Sequence, residues 1–124
     1  MDTSIKVLIV DDFATMRRIL KNILKQIGFK NLLEADDGTT ALEVLEKQSV
    51  DLVISDWNMP KMTGLELLKI LRGDKRYARI PFLMVTAEAQ KQNVIEAVQA
   101  GVSNYVVKPF TAEAISEKLE KILK

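Results

Sequence analysis

The chain has 124 residues, of which 48% are hydrophobic, and 18 basic side chains against 17 acidic ones leave a formal charge of +1. This composition supports a folded domain of ordinary size and excludes a disordered chain or a strong charge attraction to nucleic acid or membranes. The chain contains no cysteine and no histidine, which excludes disulfides, thiol chemistry, histidine metal ligands and Ser-His-Asp catalysis. We expect one cytoplasmic domain over residues 1–124, because the N-terminal apolar stretch is too short for a signal peptide or a membrane span.

Apolar runs and segments of helical period alternate from the start of the chain. The run Ile5–Val10 predicts a strand, and apolar residues spaced i, i+3, i+4 and i+7 between residues 16 and 27 predict a helix that ends at Gly28. Leu32–Ala35 predicts a short strand that suits the edge of a sheet. The turn at residues 36–38 then opens a second helix, whose predicted buried face carries Ala41, Leu42 and Leu45.

The alternation continues three more times. The further predicted strands are Leu52–Ser55, Ile80–Val85, with Pro81 tolerated near its start, and Asn104–Val107. The further predicted helices carry apolar residues at Leu65, Leu68 and Leu71, at Val94, Ala97 and Val98 before Gly101, and at Ile115, Leu119 and Ile122. Unbroken apolar strands are typical of parallel sheets buried on both faces. We therefore predict an α/β fold, a doubly wound five-stranded parallel sheet with five helices.

Charged side chains follow three of the predicted strands. Asp11 and Asp12 follow the first strand, Asp56 follows the third and Lys108 follows the fifth. Open α/β sheets bind ligands at the carboxyl ends of their strands, so these side chains predict a cation site that contains a nucleophile. Oxygen ligands without histidine or cysteine favour Mg²⁺. We expect Asp12 to bind the ion directly and Asp11 to act through a water molecule.

A carboxylate beside Mg²⁺ can attack phosphorus and form an aspartyl phosphate. The cation and Lys108 would neutralise the charge on the phosphoryl oxygens, and Thr86, at the end of the fourth strand, could donate its hydroxyl to one of them. Because the chain has no histidine, any phosphohistidine donor must be another protein.

Each of these residues also has a simpler structural interpretation. Asp11, Asp12 or Thr86 could cap the helix that follows it, and Lys108 could be a solvated turn residue. Capping does not explain an acid pair, a single acid and a lysine at three separate strand ends, so we favour the site. The basic loop 72–79 is interpreted as a solvated loop and not as a nucleic-acid site.

The chain resembles the response-regulator receiver domains over essentially its whole length. The resemblance is carried by Asp11-Asp12, Asp56-x-x-Met59-Pro60, Thr86-Ala87 and Lys108-Pro109-Phe110. Longer stretches are similar to those of the chemotaxis regulators within this family, namely Phe13-x-Thr15-Met16-Arg17-Arg18, Asp56-Trp57-Asn58-Met59-Pro60, residues 85–89 and residues 104–110. The resemblance implies a flavodoxin-like receiver sheet with strand order 2-1-3-4-5.

For the site, the resemblance implies that Asp56 accepts a phosphoryl group from a phosphohistidine on a chemotaxis histidine kinase. Mg²⁺ would be held by Asp12, Asp56 and the backbone carbonyl of Asn58, with Asp11 acting through water. Lys108 would pair with the phosphate, across a Lys108–Pro109 bond that is typically cis in this family. The chain would be a phosphoacceptor and not an enzyme, apart from its own phosphorylation and dephosphorylation.

The resemblance also implies a switch and an output. Thr86 would move toward the phosphate and the ring of Tyr105 would turn inward, so that the fourth helix, fifth strand and fifth helix bind the flagellar motor switch protein. Asn58 and Glu88 would flank the path of the attacking water and tune dephosphorylation. A separate phosphatase is left open. We expect a monomer with no nucleic-acid partner and no membrane insertion.

Other protein classes fit these motifs less well. An FMN-binding flavodoxin needs a phosphate loop rich in Ser, Thr and Gly where this chain has Asp11 and Asp12. A haloacid-dehalogenase-type phosphatase needs a second acid at Asn58, and an unphosphorylated interaction module would lack one of the acids or the lysine. A single-domain phosphorelay receiver, or a receiver domain excised from a longer response regulator, is the open alternative.

Overall fold

Strands and helices alternate five times in the computed structural model, which describes residues 1–87 and 91–123. The elements are β1 (Lys6–Val10), α1 (Ala14–Ile27), β2 (Asn31–Ala35), α2 (Gly38–Lys47), β3 (Leu52–Asp56), α3 (Gly64–Arg72), β4 (Phe82–Thr86), α4 (Lys91–Gln99), β5 (Asn104–Val107) and α5 (Ala112–Ile122). Within the described residues, no helix combines the length and the apolarity that a bilayer span requires.

The five strands form one parallel sheet in the order β2-β1-β3-β4-β5. This confirms the predicted fold class and the strand order that the resemblance implied. The weakly apolar β2 lies at one edge, as its sequence predicted, and β5 lies at the other. Residues 7–10 of β1 are fully buried, because helices cover both faces of the sheet.

Helix ends follow local signals in the sequence. Gly28 ends α1 with φ of 125°, a conformation that glycine adopts without the steric cost other residues incur. Asp37 begins α2 and Thr63 begins α3, each through a capping box. The predicted start of β4 at Ile80 is wrong, since the strand begins at Phe82. Pro81 has no N–H to donate, and it contributes only its carbonyl, which accepts a hydrogen bond from Val53 N.

The core has two layers, one on each face of the sheet. On one face, apolar residues of β1, β3, β4 and β5 pack against α1 and α5 through Leu20, Leu24, Ile115 and Leu119. On the other face, α2 and α3 pack through buried leucines such as Leu45 and Leu68. With α1 and α5 on one face and α2 and α3 on the other, the sheet is the middle of three layers, which fixes the relative positions of the strand ends.

The register of the strands brings the predicted site residues to one edge. Val10 of β1 pairs with Ser55 of β3, so the residues that follow them, Asp11 and Asp56, leave the sheet at the same level. Thr86 pairs with Val107, and the next residue is Lys108. Because parallel strands all end at the same side, the carboxyl edge of the sheet collects these side chains.

Candidate functional site

Three aspartates form a compact cluster at the carboxyl edge of the sheet. One carboxylate oxygen from each of Asp11, Asp12 and Asp56 lies within 4.8 Å of the others. Asp11 is fully buried, Asp56 is 6% exposed and Asp12 is half-buried. Two unit charges at such a separation repel by roughly 3 kcal/mol at an effective dielectric constant of about 20. The cluster therefore needs a compensating positive charge.

Asp11 does not serve as the cap of α1. Its Oδ1 accepts a hydrogen bond from Phe13 N at 2.9 Å, but the N-cap residue of the helix is Phe13, whose side chain makes no capping hydrogen bond. The second oxygen, Asp11 Oδ2, accepts no hydrogen bond from the described residues, although Lys108 Nζ lies 3.7 Å away. The capping interpretation of the acid pair is therefore wrong, and both carboxylates face the cluster.

Asp56 is the last residue of β3, and its carboxylate is held from two sides. Its Oδ1 accepts hydrogen bonds from Trp57 N at 2.9 Å and from Lys108 Nζ at 3.2 Å. The start of α3 passes directly over its backbone, because Gly64 N donates to Trp57 O and a Cβ on Gly64 would collide with the Asp56 carbonyl oxygen. These contacts fix the position of the end of β3.

Lys108 supplies the positive charge of the site. Its backbone N donates to Thr86 O at 2.7 Å, which extends the pairing of β4 and β5 beyond the strand ends. Its side chain is 21% exposed, and its ammonium group contacts both Asp56 and Asp11. The Lys108–Pro109 bond is cis, as the resemblance implied.

Burial governs the ionisation of the two most enclosed acids. Burial raises the pKa of Asp11, and the neighbouring Asp56 and Asp12 carboxylates add to this effect, against the opposing influence of Phe13 N and Lys108. Burial also raises the pKa of Asp56, against the opposing effects of the Lys108 ammonium and the Trp57 amide. The Lys108 ammonium group therefore does not fully offset the effect of burial on Asp11 and Asp56.

The cluster fits a hard divalent cation. Asp11 Oδ2 and Asp12 Oδ1 are the two buried side-chain polar atoms in the described part of the chain that accept no hydrogen bond. Buried oxygens of this kind are normally satisfied, and a divalent cation would satisfy both and offset the charge repulsion. The ligand set consists of oxygen atoms, which suits Mg²⁺.

The other predicted site residues differ in burial. Thr86 is buried at the end of β4, Asn58 is exposed in the loop after β3, and Tyr105 is half-buried on the edge strand β5. The Tyr105 ring lies beneath Lys118 Nζ, at 5.7 Å from the ring centroid. Glu88 lies outside the described residues.

Two further residues support the site, and sequence reasoning gave neither of them a role. Gly64 allows the close approach of α3 to Asp56, and a glycine near the start of the helix that follows the Asp56 loop was the available signal. Arg17 donates to the backbone carbonyl of Asp11. Its position one turn into the helix after the acid pair was the available signal. Its second partner, Glu34, lies on β2 and could be identified only once the pairing of β1 with β2 was known.

Comparison with known proteins identifies the family and confirms the resemblance. Residues 7–120 match the family described as the response regulator receiver domain. The chain is 60% identical over 117 residues to the chemotaxis protein CheY of Pseudomonas aeruginosa, with 94% of each protein covered. It is 56% identical over 122 residues to CheY-3 of Vibrio cholerae, covering 98% of this chain and 94% of that protein.

A solved structure agrees with this assignment. The high-resolution structure of the Vibrio cholerae chemotaxis protein CheY4 matches with a TM-score of 0.90 at 36% identity, covering 97% of this chain and 99% of the other. Family match, sequence identity and fold thus agree over nearly all of the chain. The chain belongs to the response regulator receiver domain family.

Proposed function

We propose that this chain is a chemotaxis response regulator that accepts a phosphoryl group on Asp56 from a phosphohistidine of a histidine kinase. The observation that carries the proposal is the cluster of three carboxylates within 4.8 Å of one another, with the ammonium group of Lys108 at 3.2 Å from Asp56. A structural role would satisfy these acids within the protein, yet two of their buried oxygens accept no hydrogen bond from the part of the chain that the structure describes.

In the transfer step, a carboxylate oxygen of Asp56 attacks the phosphorus atom of the phosphohistidine. The new O–P bond forms as the N–P bond breaks, and the electron pair of that bond stays on the imidazole nitrogen of the donor. Negative charge is spread over the three phosphoryl oxygens during transfer. Lys108 balances part of this charge from its position beside Asp56, and the hydroxyl of Thr86 donates to another phosphoryl oxygen.

Asp12, Asp56 and the backbone carbonyl of Asn58 would hold the Mg²⁺ ion, with Asp11 acting through water. When bound, the ion neutralises charge on the carboxylates and on the incoming phosphoryl group. Asp11 contributes an oxygen that is already oriented, because its other oxygen is held by Phe13 N. The chain's own groups thus keep the acceptor aligned before the donor arrives.

In dephosphorylation, the aspartyl phosphate is hydrolysed and water is the nucleophile. A water oxygen attacks phosphorus, the bond between phosphorus and the Asp56 oxygen breaks, and the carboxylate leaves with the electron pair while the water loses a proton. Asn58 and Glu88 would flank the path of this water. We assign no reaction to the chain other than its own phosphorylation and dephosphorylation.

For the output, we assign the surface formed by α4, β5 and α5 to the flagellar motor switch protein, with the chain acting in the cytoplasm. Ile95 and Val98 are exposed apolar residues on α4, at 39% and 62% exposure. Tyr105 lies on the neighbouring strand and contacts Lys118 of α5. Relatives of 60% and 56% identity that are named chemotaxis proteins support this assignment.

The acceptor is tested by phosphorylation with acetyl phosphate and Mg²⁺, read as the mass gain of one phosphoryl group. Wild type should gain the group and Asp56→Asn should not, whereas Asp36→Asn, at an exposed acid of the same sheet edge, should behave as wild type. Labelling of Asp56→Asn at the wild-type rate would show that another residue is the nucleophile.

The output is tested separately, by binding of a fluorescent N-terminal peptide of a motor switch protein with and without a phosphate mimic. Tighter binding in the presence of the mimic supports the motor output. Equal affinities, together with normal labelling at Asp56, would exclude this output and favour a phosphorelay receiver.

A further inference from the structure

Arg17 connects the acid cluster to the neighbouring edge of the sheet. It is the fourth residue of α1, and its side chain is 18% exposed. Its Nη1 donates to the backbone carbonyl oxygen of Asp11 at 2.6 Å, and its Nε donates to Glu34 Oε1 at 3.1 Å. A planar guanidinium group thus bridges the loop after β1 and a side chain of β2.

The carbonyl that Arg17 binds belongs to the peptide group that joins Asp11 to Asp12. The amide of Asp11 still donates to Ala35 O at 3.1 Å. Arg17 therefore binds the backbone at the point where the chain leaves the sheet. The orientation of this peptide sets the direction in which the side chain of Asp12 leaves the backbone. Asp12 Oδ1 accepts no hydrogen bond from the described residues, so its position depends on the backbone.

Glu34 holds the guanidinium in place. Its Oε1 accepts from Arg17 and its Oε2 accepts from Lys21 Nζ at 3.1 Å. The donors of arginine have a fixed planar arrangement, so the bond to Glu34 also fixes the direction of the bond to Asp11. Lysine has a flexible stem and no such arrangement, which makes Arg17 poorly replaceable at this position.

We propose that Arg17 is a positioning residue that presents Asp12 and Asp11 to the cation by fixing the peptide between them. The inference rests on the proposed function, because it assigns Arg17 to the same metal site. The proposal predicts a change in Mg²⁺ affinity that is opposite in sign to the change expected from charge alone. Removing a positive charge near a cation site should strengthen cation binding, whereas losing the support of a ligand should weaken it.

The test measures Mg²⁺ affinity in the absence of any phosphoryl donor, by Trp57 fluorescence and by calorimetry. Arg17→Ala should bind Mg²⁺ roughly tenfold more weakly, the low end of the effect of removing outer-sphere support. Arg18→Ala removes the same charge from an exposed neighbouring position, and Lys21→Ala removes the other partner of Glu34. Both controls should bind Mg²⁺ as tightly as wild type or slightly more tightly.

Two additional variants separate positioning from folding. Arg17→Lys keeps the charge and should have an intermediate affinity, because one ammonium group cannot reproduce the bridge. Arg17→Gln keeps the long stem and replaces Arg17→Ala if urea unfolding shows that the alanine variant is unstable. In phosphorylation by acetyl phosphate, the Mg²⁺ concentration for half-maximal rate should rise by about the same factor, with little change in the rate at saturating Mg²⁺.

Wild-type or higher Mg²⁺ affinity in folded Arg17→Ala and Arg17→Gln would overturn the inference. This failure is distinguishable from failure of the proposed function. If wild type itself binds no Mg²⁺ or takes up no phosphoryl group, the proposed site is wrong. If wild type does both and the Arg17 variants bind Mg²⁺ equally tightly, the site is right and Arg17 does not position it.

Discussion

Buried aspartates follow both β1 and β2, and the two carboxylates differ in their hydrogen bonding. Asp37, two residues after β2, is 4% exposed, and its Oδ1 accepts from Thr39 N at 2.8 Å and from Thr40 N at 3.0 Å. Asp11, directly after β1, is fully buried but has one oxygen that accepts no hydrogen bond from residues 1–87 and 91–123. The hydroxyl of Thr39 lowers the pKa of Asp37, with further lowering by the Thr40 amide, whereas burial raises the pKa of Asp11.

The difference separates an acid with a structural role from the acids of the proposed cation site. Both types lie at the carboxyl edge of the sheet, so position alone does not distinguish them. Asp37 is satisfied by the helix that it caps. Asp11 and Asp56 are enclosed together and are left with charge that the protein compensates incompletely, which is the arrangement expected where a ligand completes the set. The predictions below test this distinction.

The largest effect is expected for a direct ligand of the cation. Asp12→Ala should lower Mg²⁺ affinity by more than about 100-fold, since even outer-sphere partners contribute 10- to 100-fold. Titration of Mg²⁺ against Trp57 fluorescence measures it, because Trp57 directly follows Asp56. Asp36→Ala is the matched control, an exposed acid after β2 that should titrate as wild type. Equal curves for the two variants would remove Asp12 from the ligand set.

The sequence allowed prediction of the fold, because unbroken apolar strands and helical periods are strong signals in this chain. It also located the strand-end acids and Lys108, since any residue that directly follows a parallel strand lies at the same edge. The start of β4 was predicted wrongly. The apolar side chain of Ile80 suits a strand, but an apolar pattern takes no account of the backbone N–H that Pro81 lacks.

The hydrogen-bond partners of the acidic side chains could not be predicted from the sequence. The sequence allows Asp11 and Asp37 to be caps equally well, since both precede helices. Whether an acid finds N–H partners depends on the φ and ψ angles of the turn that follows it. The bridge from Arg17 to Glu34 likewise depends on the pairing of β1 with β2, because the two residues are far apart in sequence and share no local motif.

The second prediction concerns the satisfied acid. Asp37→Ala should lower the free energy of unfolding by about 1–2 kcal/mol, because it removes the carboxylate that accepts from the first-turn amides of Thr39 and Thr40 in α2. Mg²⁺ affinity should not change. Since the folded-state pKa of Asp37 is lowered, its stabilisation is present above the unfolded pKa and is lost as pH falls through the folded value. Urea unfolding at pH 7 and at low pH measures both effects.

A change in Mg²⁺ affinity in Asp37→Ala comparable to that of Asp12→Ala would contradict the distinction between the two types of acid. Asp37→Asn is the conservative control. Its amide oxygen can still accept from Thr39 N and Thr40 N, so it should lose less stability than the alanine variant.

The third prediction has the opposite sign. Asp56→Asn should raise the free energy of unfolding at pH 7 by about 1 kcal/mol in the absence of Mg²⁺, because it removes a buried charge that is repelled by two others. Burial raises the folded-state pKa of Asp56, so the cost of its charge is present above that value and disappears as pH falls toward the unfolded value. The two proteins should therefore converge in stability under acidic conditions.

Mg²⁺ provides an independent check on this prediction. A ligand that binds only the folded state stabilises it according to its concentration and dissociation constant. Saturating Mg²⁺ should therefore stabilise wild type more than Asp56→Asn and reduce the difference between them. A wild type that is already more stable than Asp56→Asn without the ion would mean that Lys108 compensates the cluster fully.

The smallest effect is expected at Asn58, which follows Asp56 by two residues and is exposed. Replacing it with leucine should leave the free energy of unfolding nearly unchanged, because surface substitutions away from caps and networks usually stay within about 0.5 kcal/mol. The leucine side chain should block the approach of water to the phosphoryl group and slow self-dephosphorylation about threefold, equivalent to roughly 0.7 kcal/mol in the barrier. Decay of the labelled phosphoprotein after removal of acetyl phosphate measures this rate.

The control is Asn104→Leu, because Asn104 is the first residue of β5 and lies at the edge of the sheet away from the site. Unchanged decay in Asn58→Leu would show that the attacking water follows another path, while a large loss of stability would show that Asn58 belongs with Asp37 among the structural residues.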